Sequence, residues 1–123
     1  MGEILAEGLL RAGWETGNLV LGARREERAR EVERLTAIEA PLDPAGSAED
    51  RDVVVVAVKP KDSAHLLDQV RDVIRPGQVV VSLAAGVPIA VFEGVLEDIA
   101  VVRAMPNTPA AVDEGMTAYC GGT

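Results

Sequence analysis

The chain has 123 residues, 48 % hydrophobic and 26 % charged, which is the length and composition of one globular domain rather than a disordered chain. Its formal net charge is −8, and the arginines between Arg24 and Arg34 alternate with glutamates, so no basic face exists to displace the counterions of a nucleic acid. No segment approaches the roughly 20 apolar residues that span a bilayer, no basic stretch leads into an apolar one at the N-terminus, and the single cysteine, Cys120, cannot make an internal disulfide; the expectation is a cytoplasmic protein without nucleic-acid or membrane partners.

Gly2 to Ala12 reads as a helix, with Ile4, Leu5, Leu9 and Leu10 on a wide apolar face and Gly13 placed to cap its end. Leu19 to Leu21 is a short apolar strand. A charged helix follows over Glu26 to Leu35, with Ala29, Val32 and Leu35 on one stripe, and Ala37 to Ala40 is a further short strand candidate. Pro41 to Arg51 is a loop or a weak helix. Val53 to Val58 reads VVVVAV, the pattern of a strand buried on both faces of a parallel sheet. Lys59-Pro60 ends it.

Asp62 or Ser63 can cap the next helix, in which Leu66, Leu67, Val70, Val73 and Ile74 share a face. Pro76-Gly77 is a turn, and Gln78 to Leu83 a second buried strand. After Ala84-Ala85-Gly86 comes a helix carrying Ile89, Phe92, Val95 and Leu96. Ile99 to Val102 is a third buried strand, Ala104 to Asp113 a proline-containing loop, and Met116 to Tyr119 the start of another strand. With only one Trp, one Tyr and one Phe, the core must be built from aliphatic side chains.

Strands alternating with helices over short connections define an α/β domain with a doubly wound, mainly parallel sheet. Ligands of such sheets bind outside the carboxyl ends of the strands. The residues of interest are therefore Ala23 to Arg25, Lys59-Pro60, Ala84 to Gly86 and Ala104 to Asn107. In a dinucleotide-binding domain a strand and a glycine-rich turn precede the first helix. Here the helix comes first, and Gly2 suits the last glycine of that turn. About 20 residues further on, where NAD binders place an acid for the ribose 2′-hydroxyl, the chain has Arg24-Arg25. A guanidinium fork matches a phosphate, so Arg24 favours NADP. The alternative is that both arginines merely open a charged helix. Lys59 could contact a hydroxyl or phosphate or stand in solvent. Ala84-Ala85-Gly86 could admit a flat ring or serve tight packing. Asn107, bracketed by Pro106 and Pro109, offers an amide that both donates and accepts.

Val56-Ala57-Val58-Lys59-Pro60, Val81-Ser82-Leu83-Ala84-Ala85-Gly86-Val87, Val102-Arg103-Ala104-Met105-Pro106-Asn107-Thr108-Pro109-Ala110 and Gly115-Met116-Thr117 resemble, in order and spacing, the pyrroline-5-carboxylate reductases. The resemblance covers essentially the whole chain. It implies an NAD(P)H-dependent reductase whose hydride goes to the C=N carbon of 1-pyrroline-5-carboxylate, giving L-proline in the last step of proline biosynthesis. NADPH is the coenzyme, or NADH in some members. The resemblance assigns Met1-Gly2 to the pyrophosphate turn and Ala23 and Arg24 to the adenosine ribose phosphate. It assigns Ala57, Val58, Lys59 and Pro60, and Ala84, Ala85 and Gly86, to the nicotinamide side, with Asn107 near the reaction centre. It identifies no catalytic residue and no metal ligand.

Family members also carry an earlier strand with the first glycines of the fingerprint. They carry a helical C-terminal domain that makes the homo-oligomer and most of the substrate pocket. The expectation is that residues 1–123 are a partial dinucleotide-binding domain lacking both. Three alternatives stand beside the reductase: a non-catalytic NADP-binding module, an inactive gene fragment, and another NADP-dependent reductase of the β-hydroxyacid dehydrogenase type.

Overall fold

The computed structural model describes residues 2–106 and 117–121, with side chains for residues 5–104. Helix α1, Gly2–Arg11, ends as the sequence predicts. Gly13 takes φ +100°. Its N–H donates to the Leu10 carbonyl at 3.1 Å and that of Trp14 to Leu9 at 3.0 Å. This pair of bonds closes the last carbonyls of a helix through a left-handed residue, which glycine adopts without a steric penalty.

Leu19 to Leu21 and Ala37 to Ala40 prove to be partners. They meet in a single parallel bridge, Val20 to Glu39, extended by the bonds Leu21 N–H to Glu39 C=O (2.9 Å) and Ala23 N–H to Pro41 C=O (3.0 Å). Between them runs α2, Glu26–Thr36, acidic in its first turn and with Arg34 in its last, which suits the helix dipole. Ala29 and Val32 are buried against Ala40, with Leu21 and Ala23 alongside. Leu35 departs from the expected stripe and lies exposed. Each i+3 step falls about 60° short of a full turn, so two steps carry Leu35 about 120° from Ala29.

The stretch after Pro41 contains a true helix, α3, Pro44–Ala48. Asp43 accepts from the Ala45 N–H at 3.1 Å, and Pro44 occupies the first turn, where its missing N–H costs nothing. Four strands follow: β1 Val53–Val56, β2 Val79–Ser82, β3 Ala100–Pro106 and β4 Thr117–Gly121. They form one sheet in that order. β1, β2 and β3 are parallel, in the registers Val53–Val79 and Val79–Ala100, while β4 runs antiparallel to β3.

Helices α4, Ser63–Val70, and α5, Ile89–Val95, are the crossovers. Leu67, Val70, Ile74, Phe92 and Leu96 join Val56, Val80 and Val101 in one core, aliphatic as expected except for Phe92, its largest fully buried side chain. Leu66 and Val73 pack at its border, as the helical pattern predicts.

Two expectations need correction. Val53 to Val58 is not buried on both faces. Val54 and Val56 point into the core, but Val53 is 50 % and Val55 37 % exposed. A continuous valine run signals a strand without saying which face is covered, because alternate side chains point to opposite sides. β1 also stands at the edge of the four-stranded sheet, so its second row of backbone groups has no strand beside it among the described residues. The second correction concerns Ala104 to Pro106. These residues belong to β3 and pair with Tyr119, Ala118 and Thr117. Pro106 is tolerated because the β2 pairing stops at Arg103, leaving that end of β3 with a neighbour on one side only.

Gln78 holds the amino ends of β1 and β2 together. It is buried; its Nε2 donates to the carbonyls of Ala48 (3.2 Å) and Arg51 (2.6 Å), and its Oε1 accepts the Arg75 N–H at 2.5 Å. Gly77, at φ +100°, turns the chain so that this side chain faces inward. The first rung of the sheet, Val79 N–H to Asp52 C=O at 3.0 Å, lies directly above.

Two outcomes are expected. Gln78→Ala removes three hydrogen bonds, one of them buried and two part-buried, which costs about 2–3 kcal/mol at roughly 1 kcal/mol per bond; urea unfolding measures it. The valine edge of β1 invites pairing with another chain. Sedimentation should therefore show self-association that Val55→Lys reduces; monomeric wild-type protein at high concentration would contradict this.

Candidate functional site

The parallel register places Val56, Ser82 and Arg103 side by side at the carboxyl ends of their strands. The Leu83 N–H continues the row by donating to the Val56 carbonyl at 2.9 Å. The segments that leave these strands therefore emerge on one rim of the sheet. That rim is where open parallel sheets bind ligands, since the crossovers diverge there and leave a crevice.

Ala57 and Val58 leave β1 half-buried, Val58 packing against the core. Lys59 is exposed and extended (φ −62°, ψ 147°), and Pro60 opens a single 3-10 turn, Pro60–Asp62. Extended backbone is what a residue preceding proline adopts, so Lys59-Pro60 holds the start of α4 away from the strand end. Asp62 and Ser63 were candidates to cap α4; neither side chain makes a capping bond. The Asp62 carboxylate turns aside to Arg24, and Ser63 Oγ is buried without a hydrogen-bond partner among the described residues.

After β2, Ser82 is fully buried and its Oγ accepts the Ala84 N–H at 3.2 Å. This bond fixes the turn that follows. Ala84 is 1 % exposed, so tight packing accounts for its size and its methyl group does not line the rim. Ala85 and Gly86 are exposed. Gly86 takes φ +74°, and a Cβ placed there would meet nothing within 4 Å. Its glycine answers a backbone requirement, not crowding.

Ala23 and Arg24 arrive at the same rim from the Val20–Glu39 bridge. Ala23 is half-buried beside α2. Arg24, with a side chain 69 % exposed, forms an ion pair with Asp62, Nη1 to Oδ2 at 2.9 Å. An exposed pair of this kind contributes only about 0–1 kcal/mol; its interest lies in where it holds the guanidinium. The structure thus unites Arg24 with the Lys59-Pro60 turn and, through β1 and β2, with the Ala84-Ala85-Gly86 turn. Gly2 stands at the head of α1. Met1 and Asn107 lie outside the described residues.

Sequence reasoning missed Asp62 as a rim residue. It lies 38 positions from Arg24, and no local spacing signals such a contact. Two surface hollows among the described residues lie elsewhere: Arg71, Asp72, Val95, Glu97 and Ile99 line one, and Glu93, Asp98 and Ala100 another. Both sit at the amino ends of the strands, away from the rim. Among the described residues no cluster of His, Cys, Asp or Glu is arranged to hold a metal ion, and no helix is long and apolar enough to cross a membrane.

Parallel strands joined by helices, with every strand end turned to one rim, make this a doubly wound, Rossmann-like α/β domain. Residues 1–86 match the family described as "NADP oxidoreductase coenzyme F420-dependent", and the chain belongs to that family. It is similar to the pyrroline-5-carboxylate reductase of Corynebacterium melassecola, 36 % identical over 99 % of this chain and 47 % of the relative. It is likewise similar to that of Methanosarcina acetivorans, 32 % identical over 99 % of this chain and 46 % of the relative.

Among solved structures, a pyrroline-5-carboxylate reductase from Coxiella burnetii superposes with a TM-score of 0.90 at 29 % identity, covering 98 % of this chain and 45 % of that one. The Plasmodium falciparum pyrroline carboxylate reductase, solved with NADP bound, gives 0.85 at 26 % identity over 100 % of this chain and 45 % of that one. The chain spans about half the length of the relatives it matches. A prephenate dehydrogenase from Aquifex aeolicus, at 18 % identity and a TM-score of 0.74, shares the fold.

Ser82→Ala removes the acceptor of the buried Ala84 N–H. The expected loss is about 1–2 kcal/mol, the cost of an orphaned buried amide, read as a lower midpoint in thermal unfolding.

Proposed function

We propose that this chain is the coenzyme-binding part of a pyrroline-5-carboxylate reductase and that it binds NADPH across the rim. The observation that carries the reading is the likeness, over 99 % of the chain, to reductases of that name. The convergence of three strand ends and Arg24 on one rim supports it, as does the NADP bound by the Plasmodium falciparum relative.

In this reading the pyrophosphate lies at Met1-Gly2, where helix α1 begins and its unpaired N–H groups favour an anion. The adenosine ribose phosphate lies at Ala23 and Arg24, whose exposed guanidinium keeps donors for a phosphate beyond the one given to Asp62. Ala57, Val58, Ala85 and Gly86 line the nicotinamide side, with Ala84 acting through backbone and packing; Lys59-Pro60, which the resemblance also assigns there, runs on to Asp62 beside Arg24 and so toward the adenosine ribose, and the resemblance assigns Asn107 near the reaction centre. The exposed, left-handed Gly86 fits this arrangement because it leaves the turn free of side-chain bulk.

When bound, the nicotinamide supplies a hydride to the C=N carbon of 1-pyrroline-5-carboxylate, and a proton to the ring nitrogen completes L-proline. The chain's own residues bind and orient the coenzyme. The parent enzyme is a cytoplasmic homo-oligomer, with its substrate pocket and subunit contacts in the helical domain that the resemblance implies.

Fluorescence titration with NADPH tests the reading. Saturable binding is expected, and Arg24→Gln should weaken NADPH by about tenfold, the value of one charge-assisted phosphate contact. Absence of binding by the folded wild-type chain would overturn the proposal. Proline formation by the 123-residue chain alone is not expected, because the substrate pocket belongs to the helical domain.

A further inference from the structure

Residues 22–25, after the Leu19 to Leu21 strand segment, contain no acid, and the sequence alone therefore favours NADP at that position. The structure changes the inventory of charges. Asp62 Oδ2 lies 2.9 Å from Arg24 Nη1, so a carboxylate stands beside the guanidinium after all, contributed by the turn that follows β1. Its side chain is 23 % exposed, against 69 % for Arg24; the acid is the better held of the two, and the arginine the freer. Asp62 occupies the capping position of α4 yet makes no capping bond. Its second oxygen thus carries no helix-end duty, and the residue is available to a ligand.

We propose that Asp62 is a specificity-determining residue, the ribose-recognising acid that the end of the Leu19 to Leu21 segment lacks, and that it sets the balance between NADH and NADPH. The inference rests on the dinucleotide-binding reading above. With NADH, the Asp62 carboxylate accepts the ribose 2′-hydroxyl while Arg24 stays paired and orients it. With NADPH, the Arg24 fork turns to the 2′-phosphate and shares or gives up its carboxylate. An exposed ion pair yields its partner at little cost. The phosphate then lies close to the Asp62 charge, and like charges at that range disfavour it. Asp62 therefore lowers NADPH affinity and raises NADH affinity, and the two groups together set the ratio.

The test is titration of the chain with NADPH and with NADH in parallel, for wild type and Asp62→Asn, with thermal midpoints confirming that both are folded. Asp62→Asn keeps the size of the side chain and removes its charge. The expected result is a shift of the affinity ratio toward NADPH by about threefold to tenfold, the scale of one partly screened charge. Should Asp62→Asn fail to fold, Asp62→Ser carries the same expectation. An unchanged ratio, or a shift toward NADH, would overturn the role of Asp62 while leaving the dinucleotide site intact. Failure of the folded wild-type chain to bind either coenzyme would overturn both.

Discussion

The hydrogen-bonded row that aligns Val56, Ser82 and Arg103 is the constraint on which the rest depends. Parallel strands cannot be joined by tight hairpins; each return requires a crossover that packs on the sheet. Once the three strands share a register, α4 and α5 must lie over the core formed by Val56, Val80 and Val101, and every strand must discharge its chain at the same rim. The rim thus follows from the sheet. What the individual turns add is shape: Pro60 delays one helix, the Ser82 hydroxyl fixes one bend, and Gly86 supplies one left-handed residue.

The apolar patterns made much of this legible. Runs of valine located the three parallel strands, the i, i+3, i+4 spacing located α4, and Gly13 and Gly77 marked the turns where they occur. The failures have specific causes. Alternation within a strand cannot be read from VVVVAV, because every residue is apolar, so the exposure of Val53 and Val55 is set by what packs above them. Pairing between Val20 and Glu39 joins segments on either side of α2, and three-residue stretches carry too little pattern to name their partners. Proline at 106 suggested a loop, yet a strand with a neighbour on only one side at that point accepts it.

At the rim, residue type was legible and residue environment was not. Arg24 stood out from its position at a strand end. Its partner came from 38 residues away, and only the tertiary fold reveals that Asp62 serves the arginine instead of the helix that follows it. Ala84 shows the opposite case. Its small size fits either a ligand's approach or tight packing; the side chain is buried, and the exposed part of that turn reduces to Ala85 and Gly86.

Gln78 gives the domain a mechanical polarity. Its three bonds tie α3, the lead into β1 and the turn before β2 at the foot of the sheet. At the opposite end, the Ser82 hydroxyl bond lies within a single turn, and the side-chain link described between separate turns is the exposed Arg24–Asp62 pair. Local openings cost least where buried contacts are sparse. The base of the sheet is thus the end more tightly tied by side chains, and the strand register is fixed there independently of the turns at the rim.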